Sequence, residues 1–512
     1  MDLDFVNYKF ENGFVGVVTR TKFRLGIRHV QLVYMCLVAV VFGVLRGAAP
    51  VAVLALADRS RLNDTYIQVY DYNKSIQGTV MSSFLWGHAL LLVPAQLARG
   101  ALGGKLMISA ALLVNGAIYV ALPTIVNQGG WIALCNAQFV LGMTHAAAAP
   151  ALRALLLAWL PPHERETFSP IVYGGIQLGT IVAFPVAGAI SASALGWELV
   201  FYSLAMATLS AAAVWALLTA GRPADHPAVG DKEKEFIDEA LKCYKQKQLK
   251  TPWGQMLRSG ATWGLAAAHV GCSVVVTFFL TEVPAYLVLA HGFTVKQVRT
   301  IEIGAMLSML PFVAMWLTFL AVSPTVESIY KIGFVNYLVS NTRYRKIIST
   351  LGACGTVLGL WLVPLLGSQS SYLAVVLLCG TMASVAVQYV GFLSMYSDMS
   401  ENYCGSLALA TRAPAAAAPA AVPLVAGFVL RADQCDPLRW RVVFLTVAAA
   451  ALAGQLLHLA LARAQRQYWD NQDHRMKFTY YNDVNQMELD DLKVKIIPKK
   501  TEEKNEDDLL FI

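Results

Sequence analysis

Apolar and polar residues alternate along this chain in long blocks. The apolar blocks are about 20 residues long or longer, the length at which a helix crosses the hydrocarbon core of a bilayer. Short polar segments separate them. This pattern predicts an all-α membrane protein with twelve transmembrane helices. The predicted spans are residues 29 to 57, 78 to 98, 106 to 126, 131 to 158, 168 to 190, 197 to 219, 261 to 290, 301 to 322, 346 to 366, 370 to 395, 405 to 430 and 440 to 463.

The longest polar interruption, residues 220–260, divides these spans into two groups of six. It contains DKEKEFIDEALKCYKQKQLK, whose mixed charges are typical of a short amphipathic helix in the cytosol. We therefore expect an N-terminal six-helix half at 29–219 and a C-terminal six-helix half at 261–463. Two such halves joined by a linker resemble the plan of a major facilitator transporter, in which the substrate site lies near the midplane between the halves.

Basic residues mark alternate connections between the spans. Arg99 and Lys105 follow the second span, and a basic cluster at 343–346 precedes the ninth. Because lysine and arginine are enriched in cytosolic loops, we expect these connections, the N-terminal segment 1–28 and the C-terminal segment 464–512 in the cytosol. The C-terminal segment is polar, charged and without a second core, and is therefore expected to be mostly disordered.

The connection after the first span has the opposite character. It contains two glycosylation sequons, Asn63-Asp-Thr65 and Asn73-Lys-Ser75. Such sequons are used only on the luminal or extracellular side of a membrane. The sequence therefore predicts glycosylation at Asn63 and Asn73, which agrees with cytosolic termini.

Composition narrows the classes of function. Only 14% of the 512 residues are charged and 56% are hydrophobic, whereas roughly 25% are charged in ordinary soluble domains. The lipid bilayer is therefore an expected partner of the chain. The formal net charge of +7 is explained by the basic cytosolic loops and does not call for nucleic acid.

Motifs for catalysis and cofactor binding are missing from the sequence. It contains no GxxxxGK[ST] loop for a nucleotide and no pair of histidines at metal-ligand spacing on one helix. No nucleophile, base and orienting group recur at readable spacing in a loop. We therefore expect no enzyme activity, no cofactor and no metal site. The energy for transport would come from an ion gradient or from the solute itself.

Arg46 lies deep in the first span, eleven residues before Ala57, which is roughly 16 Å of helix rise. Arginine keeps its proton and needs an anionic partner at such depth, either a carboxylate or a substrate. The one carboxylate well inside a predicted span is Glu282, so the interior favours an anionic solute. A structural role, in which Arg46 bonds to neighbouring carbonyl groups, stays open. Glu282 is a candidate for binding the coupling cation or for pairing with an arginine.

The fourth span carries Gln138 and His145, which are seven residues apart and therefore share one helix face. Arg153 lies eight residues further on, near the cytosolic end, where it is equally well explained as an anchor that reaches the interface. His88 and His269 are single histidines among apolar residues. Each could carry a proton near neutral pH, although a buried neutral histidine bonded to a carbonyl is the commoner case.

The eleventh span contains ATRAPAAAAPAAVPLVAGF, which is rich in alanine and proline. Small residues let helices approach closely, and proline is tolerated where neighbours or water satisfy the freed carbonyl groups. Packing accounts for the alanines but not for Arg412, which is therefore a further candidate for contact with an anion.

Several short strings resemble one family, the anion:cation symporters, which contain sodium-phosphate cotransporters, sialin and vesicular glutamate transporters. SSFLWGH and LGGK resemble the family's FFWGY and GGK on and after helix 2, and AWLPPHER resembles its WxPPxER after helix 4. GWELVFY, TPWGQMLRSGATW, FLTEVPAY and WRVVF follow in the family's order. The resemblance covers about residues 25 to 470 and implies the major facilitator fold and cation-coupled or potential-driven movement of phosphate or organic anions.

Some of the family's interior residues are retained. Arg46 corresponds to the family's arginine on helix 1, and His269 to the helix 7 histidine of sialin-like members. Glu282 matches a TELP pattern of insect-type inorganic phosphate cotransporters, the members that this chain resembles most. The resemblance therefore implies that these residues belong to the transport site.

Other interior positions depart from the family. Where vesicular glutamate transporters have arginine, glutamate and histidine on helix 4, this chain has Gln138, His145 and Arg153, and Met81 replaces their helix 2 histidine. An aromatic segment on helix 7 becomes Ser273-Val-Val-Val-Thr277, and a family asparagine on helix 11 becomes Arg412. The resemblance is therefore to a divergent member whose substrate preference has changed.

The sequence thus predicts a secondary active transporter that moves a small anion, inorganic phosphate or an organic anion, by alternating access with sodium or protons as the coupling ion. The expected binding residues are Arg46, Gln138, His145, His269 and Arg412, with Glu282 for the coupling ion. We expect a monomer in the plasma membrane or in a lysosomal or vesicular membrane. The alternative, suggested by the replaced residues of helices 2 and 4, is a non-transporting member that acts as a membrane sensor or binding partner.

Overall fold

The computed structural model describes residues 3–9, 15–21, 26–58, 61, 67–243, 251–290, 300–330, 332, 337, 339–366 and 371–473. Asn63 therefore lies outside the described residues, whereas Asn73 lies within them as the exposed residue that caps a helix. Two short strands, β1 (Leu3–Lys9) and β2 (Val15–Thr21), form an antiparallel hairpin. The rest of the described regular structure is helical.

Sixteen α-helices follow the hairpin in the described part of the chain. They are α1 (Ile27–Leu56), α2 (Lys74–Leu102), α3 (Gly104–Trp159), α4 (Pro162–Ala192), α5 (Gly196–Leu218), α6 (Asp231–Cys243), α7 (Trp253–Arg258), α8 (Gly260–Thr281), α9 (Val283–Leu289), α10 (Thr300–Tyr330), α11 (Asn341–Leu362), α12 (Ser371–Leu393), α13 (Met395–Met399), α14 (Cys404–Ala417), α15 (Ala421–Val429) and α16 (Pro437–Leu461). Joined where short turns continue them, they give 11 helices that are long and apolar enough to cross a membrane.

The longest of these helices, α3, accounts for two crossings. Its 56 residues would extend roughly 84 Å at 1.5 Å per residue, far more than the ~30 Å hydrocarbon core. Gly130 interrupts it with φ 62° and ψ −156°, a conformation that only glycine adopts without strain. The chain therefore reverses at Gly130, and the described helices provide the twelve crossings of the predicted all-α fold, which is confirmed.

With twelve crossings, α1 begins and α16 ends on the same side of the molecule. We call this side the terminal face and the other side the opposite face. The linker helix α6 occupies the segment where an amphipathic helix was expected and lies at the terminal face. There Glu233 accepts hydrogen bonds from the backbone N–H groups of Ile27 and Arg28, 3.0 and 3.1 Å away, and so caps the first turn of α1.

The glutamate of the PPHER string, Glu164, also lies at the terminal face, where it pairs with an arginine of α1. The guanidinium of Arg28 is completely buried and donates to both carboxylate oxygens of Glu164, at 3.0 and 2.9 Å. It also lies 3.4 Å from a carboxylate oxygen of Glu233. A buried arginine is stable when carboxylates neutralise it and accept its protons, so this cluster joins α1, α4 and α6.

The segment after α16 departs from the expected disordered tail. Trp469 is 1% exposed and Asp470 is completely buried. Asp470 accepts hydrogen bonds from the Ser400 hydroxyl at 2.7 Å and from the side chain of Arg466 at 2.8 Å. The expectation of disorder from Ala464 onward is therefore wrong for residues 464–473, which pack against the turn between α13 and α14. Residues 474–512 lie outside the described residues.

The two halves are in close contact at the opposite face. A Cβ atom on Gly78 of α2 would overlap the carbonyl group of Pro423 in α15, so the glycine permits a backbone contact between the halves. The Ser82 hydroxyl donates to the carbonyl oxygen of Ala420 at 2.7 Å. Phe184 and Phe312 stack with ring centroids 5.5 Å apart, which joins α4 to α10. The opposite face is therefore closed in this structure.

Candidate functional site

Arg46 stands near the middle of α1, as the sequence indicated. Within the described residues it makes no hydrogen bond or ion pair with another protein group. It lies close enough to interact electrostatically with His88 on α2 and His145 on α3, and with Tyr389 on α12. Tyr389 belongs to the C-terminal half, so the charge of Arg46 acts across the boundary between the halves.

His145 lies in a pocket of aromatic side chains and is 9% exposed. The rings of Phe42 and Phe84 stand edge-on to its imidazole, with centroids 5.1 and 5.0 Å away. Its Nε2 atom is buried and has no hydrogen-bond partner among the described residues. Gly142 brings α2 against this part of α3, because a Cβ there would overlap the carbonyl oxygen of Phe84. His145 is therefore fixed beside Arg46 with one ring nitrogen available.

Gln138 lies two turns nearer the opposite face on the same helix. It is completely buried, and both its amide nitrogen and its amide oxygen have no partner among the described residues. A buried polar group without a partner costs about 1–3 kcal/mol, so this amide needs a ligand or a water molecule. The predicted face of the fourth span thus contains two side chains, Gln138 and His145, with unsatisfied polar atoms.

In the C-terminal half, His269 heads a chain of hydrogen bonds. Its Nδ1 atom is 3.0 Å from the hydroxyl of Tyr396, which is 2.6 Å from the Thr411 hydroxyl. The rings of Tyr389 and Phe392 flank the imidazole at centroid distances of 6.3 and 5.7 Å. The partner of Nδ1 is a tyrosine and not a backbone carbonyl. Nε2 of His269 has no partner among the described residues and is available to a ligand.

Arg412 follows Thr411 on α14, and its side chain is exposed. It interacts electrostatically with His269 and Tyr396 in its own half and with Tyr173 on α4 in the other half. An exposed charge with neighbours in both halves lies in the space between them. The structure therefore brings Arg412 and His269 to one side of this space, and Arg46 and His145 to the other.

Glu282 is not part of this group. It lies between α8 and α9 at the opposite face, completely buried. The Nζ atom of Lys74, at the start of α2, is 2.8 Å from its Oε2 atom. The sequence left open a cation or an arginine as the partner of Glu282, and the partner in the structure is this lysine.

Sequence reasoning missed the tyrosines of the site. Tyr389 and Tyr396 are seven residues apart, and this spacing places them on one helix face. That spacing was the available signal, but tyrosine is uncharged and common at membrane interfaces, so it does not by itself indicate a binding site. Lys74 was also missed, because it lies four residues before the second predicted span, as the middle residue of the sequon Asn73-Lys-Ser75.

Comparison with known proteins adds to this geometry. A family model described as Major Facilitator Superfamily matches residues 34–412. The chain is 25% identical over 422 residues to the "Putative inorganic phosphate cotransporter" of Drosophila ananassae, covering 80% of this chain and 83% of that protein. It is 25% identical over 406 residues to human sialin, covering 79% of each. With human vesicular glutamate transporter 2 the identity is 22% over 407 residues, covering 78% and 67%.

Solved structures are similar in fold. The inward open conformation of the xylose transporter XylE from E. coli has a TM-score of 0.61 at 12% identity, covering 83% of this chain and 95% of that chain. A bacterial homolog of the human lysosomal transporter Spinster, in an inward-facing and unoccupied conformation, has a TM-score of 0.62 at 14% identity, covering 86% and 99%. At these identities the similarity concerns the fold alone.

The chemistry of the site follows from its charges. Guanidinium groups bind carboxylate and phosphate oxygens through paired N–H donors. Among the described residues the space between the halves offers Arg46 and Arg412 without a carboxylate partner, together with imidazole, phenol and amide groups that can share protons or hydrogen bonds. This arrangement suits a small anion that carries several oxygen atoms.

Proposed function

The chain belongs to the Major Facilitator Superfamily, and on that basis we propose that it is a secondary active transporter of a small anion, inorganic phosphate or an organic anion. Membership makes it a multi-pass membrane transporter and not an enzyme. Its relatives include the phosphate cotransporters, sialin and vesicular glutamate transporters that its motifs resemble, so the resemblance is confirmed. The nature of the solute and of the coupling ion is the proposed part.

The observation that carries the proposal is the state of Arg46. Among the described residues, the buried arginines Arg28 and Arg345 are each neutralised by two carboxylates. Buried Arg61 donates to two backbone carbonyl groups, at 2.6 Å each. Arg46 has neither kind of partner among these residues, although it lies in a helix interior beside the boundary of the two halves. A fixed positive charge at that depth favours an anionic ligand, which would enter when the halves open around the site.

The coupling ion is proposed on the same grounds. Glu282 already has the ammonium group of Lys74 2.8 Å from its Oε2 atom, so a cation that binds there would be repelled by this ammonium group. The free Nε2 of His145 lies beside Arg46, and histidine is the side chain that exchanges protons near neutral pH. We therefore favour proton coupling through His145 over sodium binding at Glu282.

Orientation and location complete the proposal. The terminal face is proposed to be cytosolic, which places the exposed Asn73 on the luminal or extracellular side. The membrane is proposed to be the plasma membrane or that of a lysosome or vesicle, and the protein to be a monomer. Peptide-N-glycosidase treatment of the wild-type protein and an Asn73→Gln variant would show whether this side receives glycans.

The test of function is uptake into proteoliposomes. Labelled phosphate, urate, sialate and acidic amino acids are each supplied with a sodium gradient, with a pH gradient and with neither. We expect accumulation of at least one anion, and loss of roughly 30-fold or more in Arg46→Ala because a buried charge contact is removed. Arg222→Ala is the matched control, since this arginine is exposed on the terminal face.

Two results would contradict the proposal. Normal uptake by Arg46→Ala would remove Arg46 from the site. A folded wild-type protein that accumulates no anion under any gradient, yet is stabilised against heat by one of them, would instead indicate the non-transporting sensor.

A further inference from the structure

Three arginines of different helices converge near the terminal face. Arg99 lies in the last turn of α2, Arg153 near the end of the second crossing of α3, and Arg412 in the third turn of α14. By helix rise each is within about 12 Å of the terminal-face end of its helix. Tyr173 of α4 lies among them, and the charges of all three arginines act on it.

Arg153 extends across the boundary between the halves. A Cβ atom built on Gly405 of α14 would lie 2.8 Å from one terminal nitrogen of its guanidinium and 3.3 Å from its Cζ atom. The guanidinium of Arg153 therefore rests directly on the backbone of the C-terminal half, where glycine leaves room for it. The alternative explanation of Arg153, as an anchor that reaches the membrane interface, does not fit this position.

The three side chains also lack counterions. Within the described residues, Arg99, Arg153 and Arg412 make no ion pair or hydrogen bond with another protein group. One terminal nitrogen of Arg99 is buried without an acceptor. The charges of Arg99 and Arg153 oppose each other, and no carboxylate among the described residues pairs with either of them.

Another arginine at the terminal face, Arg345, has its charge neutralised by carboxylates. Arg345 donates to Glu327 at 2.6 Å and to Asp398 at 3.2 Å. Its guanidinium also lies over the ring of Tyr330, with Cζ 5.7 Å from the ring centroid. Two carboxylates thus neutralise one guanidinium there, whereas three guanidinium groups around Tyr173 have none. A multivalent anion would supply the missing charge.

We propose that Arg99, Arg153 and Arg412 form a second anion site at the terminal-face mouth of the space between the halves, and that it binds a phosphate group. Guanidinium groups match phosphate oxygens in geometry and charge. The site lies nearer the terminal face than Arg46 and shares Arg412 with the group around His269, and it does not depend on the proposed transport activity. The phosphate group could belong to inorganic phosphate or to the headgroup of an anionic lipid.

Binding of labelled inorganic phosphate to the purified full-length protein tests the proposal. In equilibrium dialysis, the wild-type protein should bind phosphate at a class of site that Arg46→Gln retains. Arg153→Gln should lose this class, with affinity reduced roughly tenfold or more. Arg222→Gln is the matched control. If Arg153→Gln does not fold, Arg99→Gln serves instead, because Arg99 lies in the last turn of α2 and is not part of the group around Arg46 and His269.

A chemical readout locates the site. In the Arg46→Gln background, phosphate should protect Arg153 and Arg412 from modification by phenylglyoxal, as seen by mass spectrometry of the peptides. Unchanged binding in Arg153→Gln, or loss of all phosphate binding in Arg46→Gln, would overturn the proposal. These readouts measure binding and not uptake. The second site can therefore be confirmed when the uptake test of Arg46 fails, and it can be contradicted when that test succeeds.

The source of the phosphate group is resolved in nanodiscs. Nanodiscs of phosphatidylcholine alone are compared with nanodiscs that also contain phosphatidic acid. If phosphatidic acid prevents phosphate binding in the wild-type protein but changes nothing in Arg153→Gln, the site holds a lipid headgroup. If it has no effect and phosphate still binds through Arg153, the ligand is the free ion. Both outcomes support the site. Equal phosphate binding by the wild-type protein and by Arg153→Gln in both kinds of nanodisc would contradict it.

Discussion

Lys74 and Glu282 form a buried ion pair of 2.8 Å between the two halves at the opposite face, with side chains 4% and 1% exposed. Lys74 begins α2 in the N-terminal half, and Glu282 follows α8 in the C-terminal half. Opening of the opposite face would separate the two residues. We therefore expect the pair to act as a latch that stabilises the closed state of this face.

Removal of one partner should be costly, because it leaves an uncompensated buried charge, at about 3–5 kcal/mol. We expect Glu282→Gln to lower the midpoint of thermal unfolding and to slow uptake, and the double variant Lys74→Gln/Glu282→Gln to recover most of the stability. A charge swap, Lys74→Glu with Glu282→Lys, is the matched control. Equal loss in the single and double variants would show that the pair is not coupled.

The same variants separate a latch from a coupling-ion site. If Glu282 only pairs with Lys74, the double variant should transport with an unchanged dependence on sodium and on pH. A loss of ion dependence in the double variant would instead restore Glu282 as the residue that binds the coupling cation.

Arg46→Lys distinguishes a guanidinium contact from a simple charge requirement. Lysine keeps the positive charge but cannot present two parallel N–H donors to an oxyanion. We therefore expect uptake intermediate between wild type and Arg46→Ala, with the loss mainly in KM. Full activity of Arg46→Lys, measured as initial uptake over a range of solute concentrations, would mean that paired hydrogen bonds play no part.

His145→Gln tests proton coupling at the centre. Glutamine keeps a polar side chain of similar size but cannot take up a proton, whereas histidine exchanges protons near neutral pH. We expect the variant to exchange labelled for unlabelled anion across the membrane yet to lose accumulation driven by a pH gradient. His226→Gln is a suitable control, because this histidine lies outside the spans. Gradient-driven accumulation in His145→Gln would assign the proton to another group.

The linker helix can be tested through its cap on α1. Glu233→Ala removes the acceptor of two backbone N–H groups and one of the carboxylates around Arg28, which should cost about 2 kcal/mol or more. We expect a lower midpoint of thermal unfolding. Glu235→Ala, on an exposed position of the same helix, should have no effect. Equal stability of the two variants would contradict the docking of α6.

The sequence predicted the spans because hydropathy is a local property of about 20 residues. It also predicted the depth of Arg46, since depth follows from distance along one helix. The surroundings of Arg46 could not be predicted, because Tyr389 comes from a distant part of the chain. The same holds for the grouping of Arg99, Arg153 and Arg412, because these residues lie on three separate helices and come together only when the halves pack.

The error at the C-terminal side has a similar cause. Residues 464–473 are polar and follow the last span, so composition alone indicated disorder. Their order comes from contacts that composition does not contain. Trp469 packs near Tyr403, with ring centroids 6.3 Å apart, and Asp470 is held by groups about 70 residues earlier in the chain.

Asp470→Asn tests whether this segment stabilises the terminal face. The carboxylate accepts bonds from Ser400 at 2.7 Å, from the backbone N–H of Glu401 at 3.2 Å and from Arg466 at 2.8 Å. An amide has one acceptor atom and no charge, so at least one of these donors loses its partner, at about 1–3 kcal/mol. We expect a lower midpoint of thermal unfolding and faster proteolysis after Arg466. Asp238→Asn, at an exposed position of α6, should change neither. If Asp470→Asn is as stable and as resistant as this control, the contacts of Asp470 do not hold the turn between α13 and α14 in place.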